Sequence, residues 1–331
     1  MDQEVKPWKR PALIFPGQGS QYVGMGAELA KASPAARELF KRADEVFDGP
    51  LSHLCFEGSQ EELDKTINQQ PANFVTCIAW LKALEERWQD NGRELKPAMY
   101  AGHSMGEFTA AVAAGSLSFD EGLKLVKERG LLMEEAGTEN PGGMASVLGL
   151  PEEKVEAICA EAAEAEGAYV ALATANCEGQ SVISGSLKPL ERAMEMADAA
   201  GARRVVRLSI SIGSHSPLMT KASEGMDRIL QGIRMADPQA PIVANTTAEL
   251  MTTASQVYKE LRDQLLMGVK WHQSVDRMMK EGVDMFMEVG PGNVLTRLVR
   301  RINYEVNSLS VSDEYEGLLS ERFKLVEAAA K

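Results

Sequence analysis

Ala98-Met99-Tyr100-Ala101-Gly102-His103-Ser104-Met105-Gly106-Glu107-Phe108-Thr109-Ala110-Ala111-Val112-Ala113-Ala114, residues 98–114, reads as a short buried strand, a glycine turn and a small-residue helix. The turn is G-x-S-x-G, and its place between strand and helix matters more than the letters. Small flanking residues let the two elements approach closely, and the sharp turn holds the Ser104 hydroxyl clear of the backbone. The helix N-terminus aims free N–H groups and a positive dipole end at any oxyanion formed there. Ser104 is therefore a candidate nucleophile. The alternative is a glycine turn with an incidental serine.

Outward from this unit, the pattern is α/β. Upstream, Ala12–Phe15 is a buried strand broken by Pro16-Gly17-Gln18-Gly19-Ser20-Gln21, with a helix beginning beyond Gly26 and helical patterning to about residue 94, notably 74–88. Glycines at 17, 19, 24 and 26 fit neither GxGxxG nor the Walker spacing, and no Lys follows, so a phosphate cradle is rejected. Backbone N–H groups of that loop suit an oxyanion hole better. Downstream, Ser118-Phe119-Asp120-Glu121 has capping-box spacing, and its helix is expected to stop at Gly137.

Residues 138–210 have their own order: strand 144–150, helix 152–166, strands 169–175 and 181–184 around Glu178-Gly179, helix 189–200 and strand 204–210. That βαββαβ order predicts a ferredoxin-like unit inserted in a larger α/β one. The expected division is a large subdomain over 11–137 and 211–305, a small one over 138–210, and a tail over 306–331. In the large subdomain, helix 218–233, strand 242–245, a helix to about 266, strand 285–289 and a helix through 302 follow. The terminal Glu327-Ala328-Ala329-Ala330-Lys331 resembles a designed helical linker.

Composition narrows the function. The 331 residues carry 35 Lys and Arg against 48 Asp and Glu, a net charge of −13, which argues against general binding to nucleic acid or anionic membranes. No apolar run reaches the roughly 18–20 residues of a membrane helix. Four cysteines without a CxxC pair read as reduced thiols of a cytosolic protein, with no metal site implied.

A serine nucleophile needs a base, and the chain offers four histidines. His103 adjoins Ser104, and its side chain is expected to leave the turn in another direction. His53 and His272 lie in helical patterns. His215, just past a strand in Ser214-His215-Ser216-Pro217, is the candidate base, a structurally neutral loop histidine being the alternative. Arg129 falls on the apolar stripe of its helix, set by residues 119, 123, 126 and 133. An inward guanidinium is costly unless paired with an anion. The readings left open are an internal ion pair, a snorkelling side chain, or a clamp for a substrate carboxylate.

Together, Phe15-Pro16-Gly17-Gln18-Gly19-Ser20-Gln21, GHSMGEFTA at 102–110, Gly143-Met144-Ala145, Ser214-His215 and Glu288-Val289-Gly290-Pro291-Gly292 resemble the malonyl-CoA:acyl carrier protein transacylase family, in order and spacing over 11–302. The resemblance implies an α/β-hydrolase-like large subdomain carrying a ferredoxin-like insertion. It makes Ser104 the acylated nucleophile and His215 its base, oriented by the main-chain carbonyl of Gln264 instead of an acid. The Gln18 and Met105 N–H groups form the oxyanion hole, and Arg129 pairs with the substrate carboxylate. Asn176 and His103 are candidate cleft residues. The family's NxNSPGQ loop is altered here to Thr174-Ala175-Asn176-Cys177-Glu178-Gly179-Gln180.

The implied activity is ping-pong transfer of a malonyl group from malonyl-CoA to the phosphopantetheine thiol of an acyl carrier protein, in the cytoplasm, by a monomer without metal or redox cofactor. Met105 and Ser214 lean toward malonyl over methylmalonyl. Alternatives are a trans-acting polyketide synthase acyltransferase with another extender unit, a thioester hydrolase on the same scaffold, and a docking protein with a relict site. Because carrier proteins of this kind are also acidic, docking is expected on Arg203-Arg204…Arg207 or Arg297…Arg300-Arg301.

Overall fold

Strand β1 (Pro11–Phe15) is buried at all five positions, because layers cover both of its faces. Leu13 and Phe15 join a core with Phe74, Val75 and Phe108, while Ala12 and Ile14 join another with Trp271 and Phe286. The alternation is the two-residue period of a strand. The computed structural model describes residues 8–209 and 212–315.

The other strands are β2 (Met99–Gly102), β3 (Gly142–Leu148), β4 (Val170–Cys177), β5 (Gln180–Ser186), β6 (Arg204–Arg207), β7 (Ile242–Val243), β8 (Leu250–Met251), β9 (Met285–Glu288) and β10 (Asn307–Ser310). They form a six-stranded sheet in the order β10-β9-β1-β2-β7-β8 and a four-stranded sheet in the order β4-β5-β3-β6. The large sheet is parallel apart from β8. Phe15 lies beside Gly102 and Ile14 beside Glu288, so the glycine loops after β1, β2 and β9 leave the sheet together. In an open α/β sheet that edge is where ligands bind.

The four-stranded sheet is antiparallel throughout, and with helices Glu152–Glu166 and Leu187–Ala199 it is the βαββαβ unit read from the sequence. Its own core includes Ala145, Val155, Ile158, Ile183 and Leu190. The two sheets are tied where Ala175 N–H bonds Val269 O (2.9 Å) and Val269 N–H bonds Ala173 O (2.8 Å).

Several boundaries move. The capping box at Ser118 and Glu121 is present, yet the helix Phe119–Glu139 runs through Gly137 and ends on Asn140. Strand β6 ends at Arg207, although Leu208 N–H still reaches Met144 O at 2.9 Å; Ile210 lies outside the described residues. Strand β7 stops at Val243 because Asn245 turns toward the loop after β2. The stretch from 306, read as tail, instead supplies β10, an edge strand paired with β9. The Glu327–Lys331 segment lies outside the described residues. All four cysteines are buried and unpaired. Among the described residues no helix is long and apolar enough to cross a membrane.

Candidate active site

The G-x-S-x-G turn is glycine at both ends for lack of space. A Cβ on Gly102 would stand 1.9 Å from the Gly106 carbonyl, and one on Gly106 would stand 2.2 Å from Phe15 O. Backbone cannot yield there as a flexible side chain would. Gly102→Ala is therefore expected to prevent accumulation of folded protein, checked by soluble yield and thermal melting; a variant melting within a few degrees of wild type contradicts the packing argument.

Ser104 itself sits at φ 53, a left-handed conformation of the kind stored at strained functional turns. Asn245 holds it there. The Ser104 N–H donates to Asn245 Oδ1 at 2.7 Å, and Asn245 Nδ2 donates to Gly102 O at 2.7 Å. This lifts the hydroxyl toward His215, with Oγ 2.8 Å from Nε2. His215 Nδ1 lies 2.9 Å from Gln264 O and 3.1 Å from Met267 O. Two carbonyl acceptors there keep the proton on Nδ1 and leave Nε2 to accept the serine proton. Among the described residues no carboxylate bonds the ring. Burial first, and the nearby Arg129 charge second, push the His215 pKa down to about 4.

Arg129 is 1% exposed and points from the helix Phe119–Glu139 to the same hydroxyl. Its Nη2 donates to Ser104 Oγ (3.2 Å) and Gln264 Oε1 (2.9 Å), and its Nη1 to Gln70 Oε1 (2.7 Å), with Met133 Sδ at 3.2 Å. Neither an internal ion pair nor snorkelling describes it. Each of these partners is neutral, and among the described residues Nε has no hydrogen-bond partner. Burial pushes the guanidinium down to about 9, with the charge of Glu107 opposing that shift.

A cavity of about 200 Å³ opens over Ser104 and His215 between the two sheets. Gln18, Ser104 and His215 share its wall with Met133, Asn176 and Leu298. Met105 heads the helix Gly106–Ala113. Among the described residues neither the Gln18 nor the Met105 N–H donates to another protein group. His103 leaves the turn in another direction than Ser104, placing Nε2 2.9 Å from Asn176 Oδ1, and both residues line the cavity. Burial lowers the His103 pKa as well. The Thr174–Gln180 stretch is not a loop but the end of β4, a two-residue turn and the start of β5. The strand before His215 belongs to the small sheet, so His215 reaches the site on the connection that follows β6 and not from a large-sheet strand end. His53 and His272 sit on other helices beside Glu57 and Asp276.

Sequence reading missed Asn245, Gln70, Glu107 and the side chain of Gln264. Only Glu107 left a trace, as the one charge in an otherwise uncharged 98–114 run apart from His103.

An acyl transferase domain model matches residues 12–313. A malonyl CoA-acyl carrier protein transacylase of Bacillus subtilis is 42% identical over 302 residues, spanning 91% of this chain and 93% of that protein. The chain belongs to the malonyl-CoA:acyl carrier protein transacylase family. The Escherichia coli K12 transacylase is 40% identical over 91% of this chain and 94% of its own length. Among solved transacylase structures, that of Xanthomonas oryzae pv. oryzae superposes with a TM-score of 0.88 at 36% identity, covering 95% of this chain and 98% of that one. A malonyl-transacylase solved with its type II polyketide synthase acyl carrier protein gives 0.86 at 37% identity, over 92% and 96%. The two-sheet architecture is thus the transacylase fold.

Proposed function

We propose that the chain moves a malonyl group from malonyl-CoA to the phosphopantetheine thiol of an acyl carrier protein through malonyl-Ser104. The observation that carries this reading is a buried arginine, hydrogen-bonded to neutral groups alone, 3.2 Å from a hydroxyl that is itself 2.8 Å from a histidine. His215 Nε2 takes the Ser104 proton as Oγ attacks the thioester carbonyl. The tetrahedral oxyanion faces the Gln18 and Met105 amides. Collapse expels CoA as its thiol, protonated by His215. Arg129 holds the acyl carboxylate until the carrier thiol attacks and His215 repeats both transfers. Atoms balance without metal or redox cofactor. A hydrolase would need no carboxylate clamp, so Arg129 and the names of the relatives disfavour it.

Intact-mass spectrometry after brief exposure to malonyl-CoA tests the reading: an adduct on wild type, absent in Ser104→Ala, is expected. Free malonate without an adduct would favour hydrolysis.

The low His215 pKa sets the pH behaviour. Neutral Nε2 persists far below the ordinary histidine value of about 6.5, so the acid limb of kcat/KM is expected well below about pH 6. Arg129→Ala, which removes a like charge, should move that limb upward. Stability carries the same signature. The unfolded histidine binds its proton near about 6.5 and the folded one near about 4, so stability held above the unfolded value is lost as pH falls between them. Rate and melting profiles against pH check both; a limb at the ordinary histidine value contradicts the burial argument.

For the carrier, the helix Val294–Ile302 is the better of the two basic faces. Val294, Leu295 and Leu298 line the cavity, while Arg297, Arg300 and Arg301 are exposed on it. Arg297→Glu is expected to raise the carrier-protein KM severalfold with little change in that for malonyl-CoA. An unchanged carrier KM would remove this face from consideration.

A further inference from the structure

Glu107 is fully buried one helical turn beyond the nucleophile, and no hydrogen bond joins its carboxylate to Ser104, His215 or Arg129. It does touch what holds all three. Its Oε1 accepts the Asn245 N–H at 2.9 Å, and its Oε2 accepts Gln264 Nε2 at 2.6 Å. Asn245 fixes the Ser104 amide, as described above. Gln264 fixes the other two: its main-chain carbonyl takes His215 Nδ1, and its side-chain Oε1 takes Arg129 Nη2. A second Gln264 Nε2 contact goes to Ser104 O at 3.2 Å.

The Gln264 side chain has a donor end and an acceptor end, and nothing in its covalent structure decides which faces Arg129. Its surroundings decide it. Burial raises the Glu107 pKa, and the Asn245 and Gln264 donors oppose that shift by bonding the ionised form. As a carboxylate Glu107 only accepts, so with Ser104 O it takes the NH₂ end, and Oε1 is left toward the donor-only guanidinium. The chain of contacts is an ion pair with one amide inserted, acid to amide to arginine. We propose that Glu107 is a positioning residue for the acyl-carboxylate site, orienting the Gln264 amide so that Arg129 is aimed over the Ser104 hydroxyl.

Glu107→Gln preserves shape and tests the polarity. The introduced side-chain amide must keep its oxygen toward the Asn245 N–H, which turns its NH₂ toward Gln264 Nε2, donor against donor. Gln264 is then displaced, or flips and presents NH₂ to the donor-only Arg129 Nη2, and either way the guanidinium loses the acceptor that aims it. This inference rests on the malonyl-Ser104 reading, and the assay separates the two. Malonyl-CoA and acetyl-CoA loading rates are measured by rapid-quench intact mass for wild type, Glu107→Gln, Arg129→Ala and the double variant, with thermal melting of each.

Absence of any malonyl adduct on wild type defeats the functional reading itself. Given that adduct, Glu107→Gln should slow malonyl loading by about 10²-fold, the scale of an ångström of misplacement. Acetyl has no carboxylate to meet, so the malonyl-to-acetyl ratio should fall about tenfold or more. The double variant should cost no more malonyl selectivity than Arg129→Ala alone, since both act on one contact. Equal slowing of both acyl groups, or additive losses of selectivity, would assign Glu107 to bulk stability and overturn the proposal. Should Glu107→Gln fail to fold, Gln264→Met breaks the same bridge at similar volume and keeps the main-chain carbonyl on His215. A folded Gln264→Met with the wild-type malonyl-to-acetyl ratio also overturns it.

Discussion

Ser104→Ala is expected to lower acyl transfer on the order of 10⁴–10⁶-fold and to leave no covalent adduct with any acyl-CoA. At about 1.36 kcal/mol per tenfold, that is roughly 5–8 kcal/mol of transition-state stabilisation. The hydroxyl is placed to bond the acyl carbon, and its proton has a base at hand in His215 Nε2, 2.8 Å away. His215→Ala should cost nearly as much, and the double variant little more, because the pair acts as a unit. The hydroxyl removed is small, so melting of Ser104→Ala should stay near wild type. Transfer retained within about a hundredfold, measured by thiol release and intact mass, would mean that another residue carries the acyl group.

Arg129→Ala is expected to cost about 2–5 kcal/mol, roughly 30- to 5,000-fold in kcat/KM for malonyl-CoA, with acetyl-CoA spared. Removing one partner of a buried, hydrogen-bonded charge pair leaves the other charge uncompensated. Here the surviving charge is the acyl carboxylate, which then enters a site lined by Met133 and Leu295. Stability should behave oppositely. The guanidinium is buried, its pKa is pushed down, and its hydrogen-bond partners are neutral, so the free protein bears a desolvation cost that substrate binding offsets. Arg129→Met, which removes the charge at similar length, should melt at or above the wild-type temperature while losing malonyl selectivity. A drop of many degrees would show instead that Arg129 is structural. Paired measurements of Tm and of the malonyl-to-acetyl ratio separate these outcomes.

The site was legible in unequal measure. Gly102-x-Ser104-x-Gly106 could be read because strand, turn and helix are contiguous and each leaves a local pattern. Arg129 could be flagged because a charge on an apolar stripe violates helical periodicity. The internal ion pair that competed with the clamp needed the folded chain to dismiss it, since patterning says that a side chain is inside but not what surrounds it. Asn245 and Gln70 left no mark. Both are uncharged polar residues in ordinary contexts, and their importance lies in contacts 141 and 59 positions away.

What the sequence by itself determined is the set of local elements: the buried β1, the glycine turn after β2, the capped helix bearing Arg129, and the βαββαβ order of the small unit. These follow from periods of about two and 3.6 residues and from turn and cap chemistry, which act over a few residues. Only tertiary structure decided how those elements meet. Parallel pairing of β1, β2 and β9 gathers three glycine loops at one edge, and β10 closes the sheet from a stretch that reads as tail. The connection to His215, the Gln264 carbonyl and the Glu107 carboxylate then converge there from separate parts of the chain. The reason is that a hydrogen bond to a buried polar group depends on position in space, and adjacency between residues far apart in sequence leaves no periodic trace along the chain.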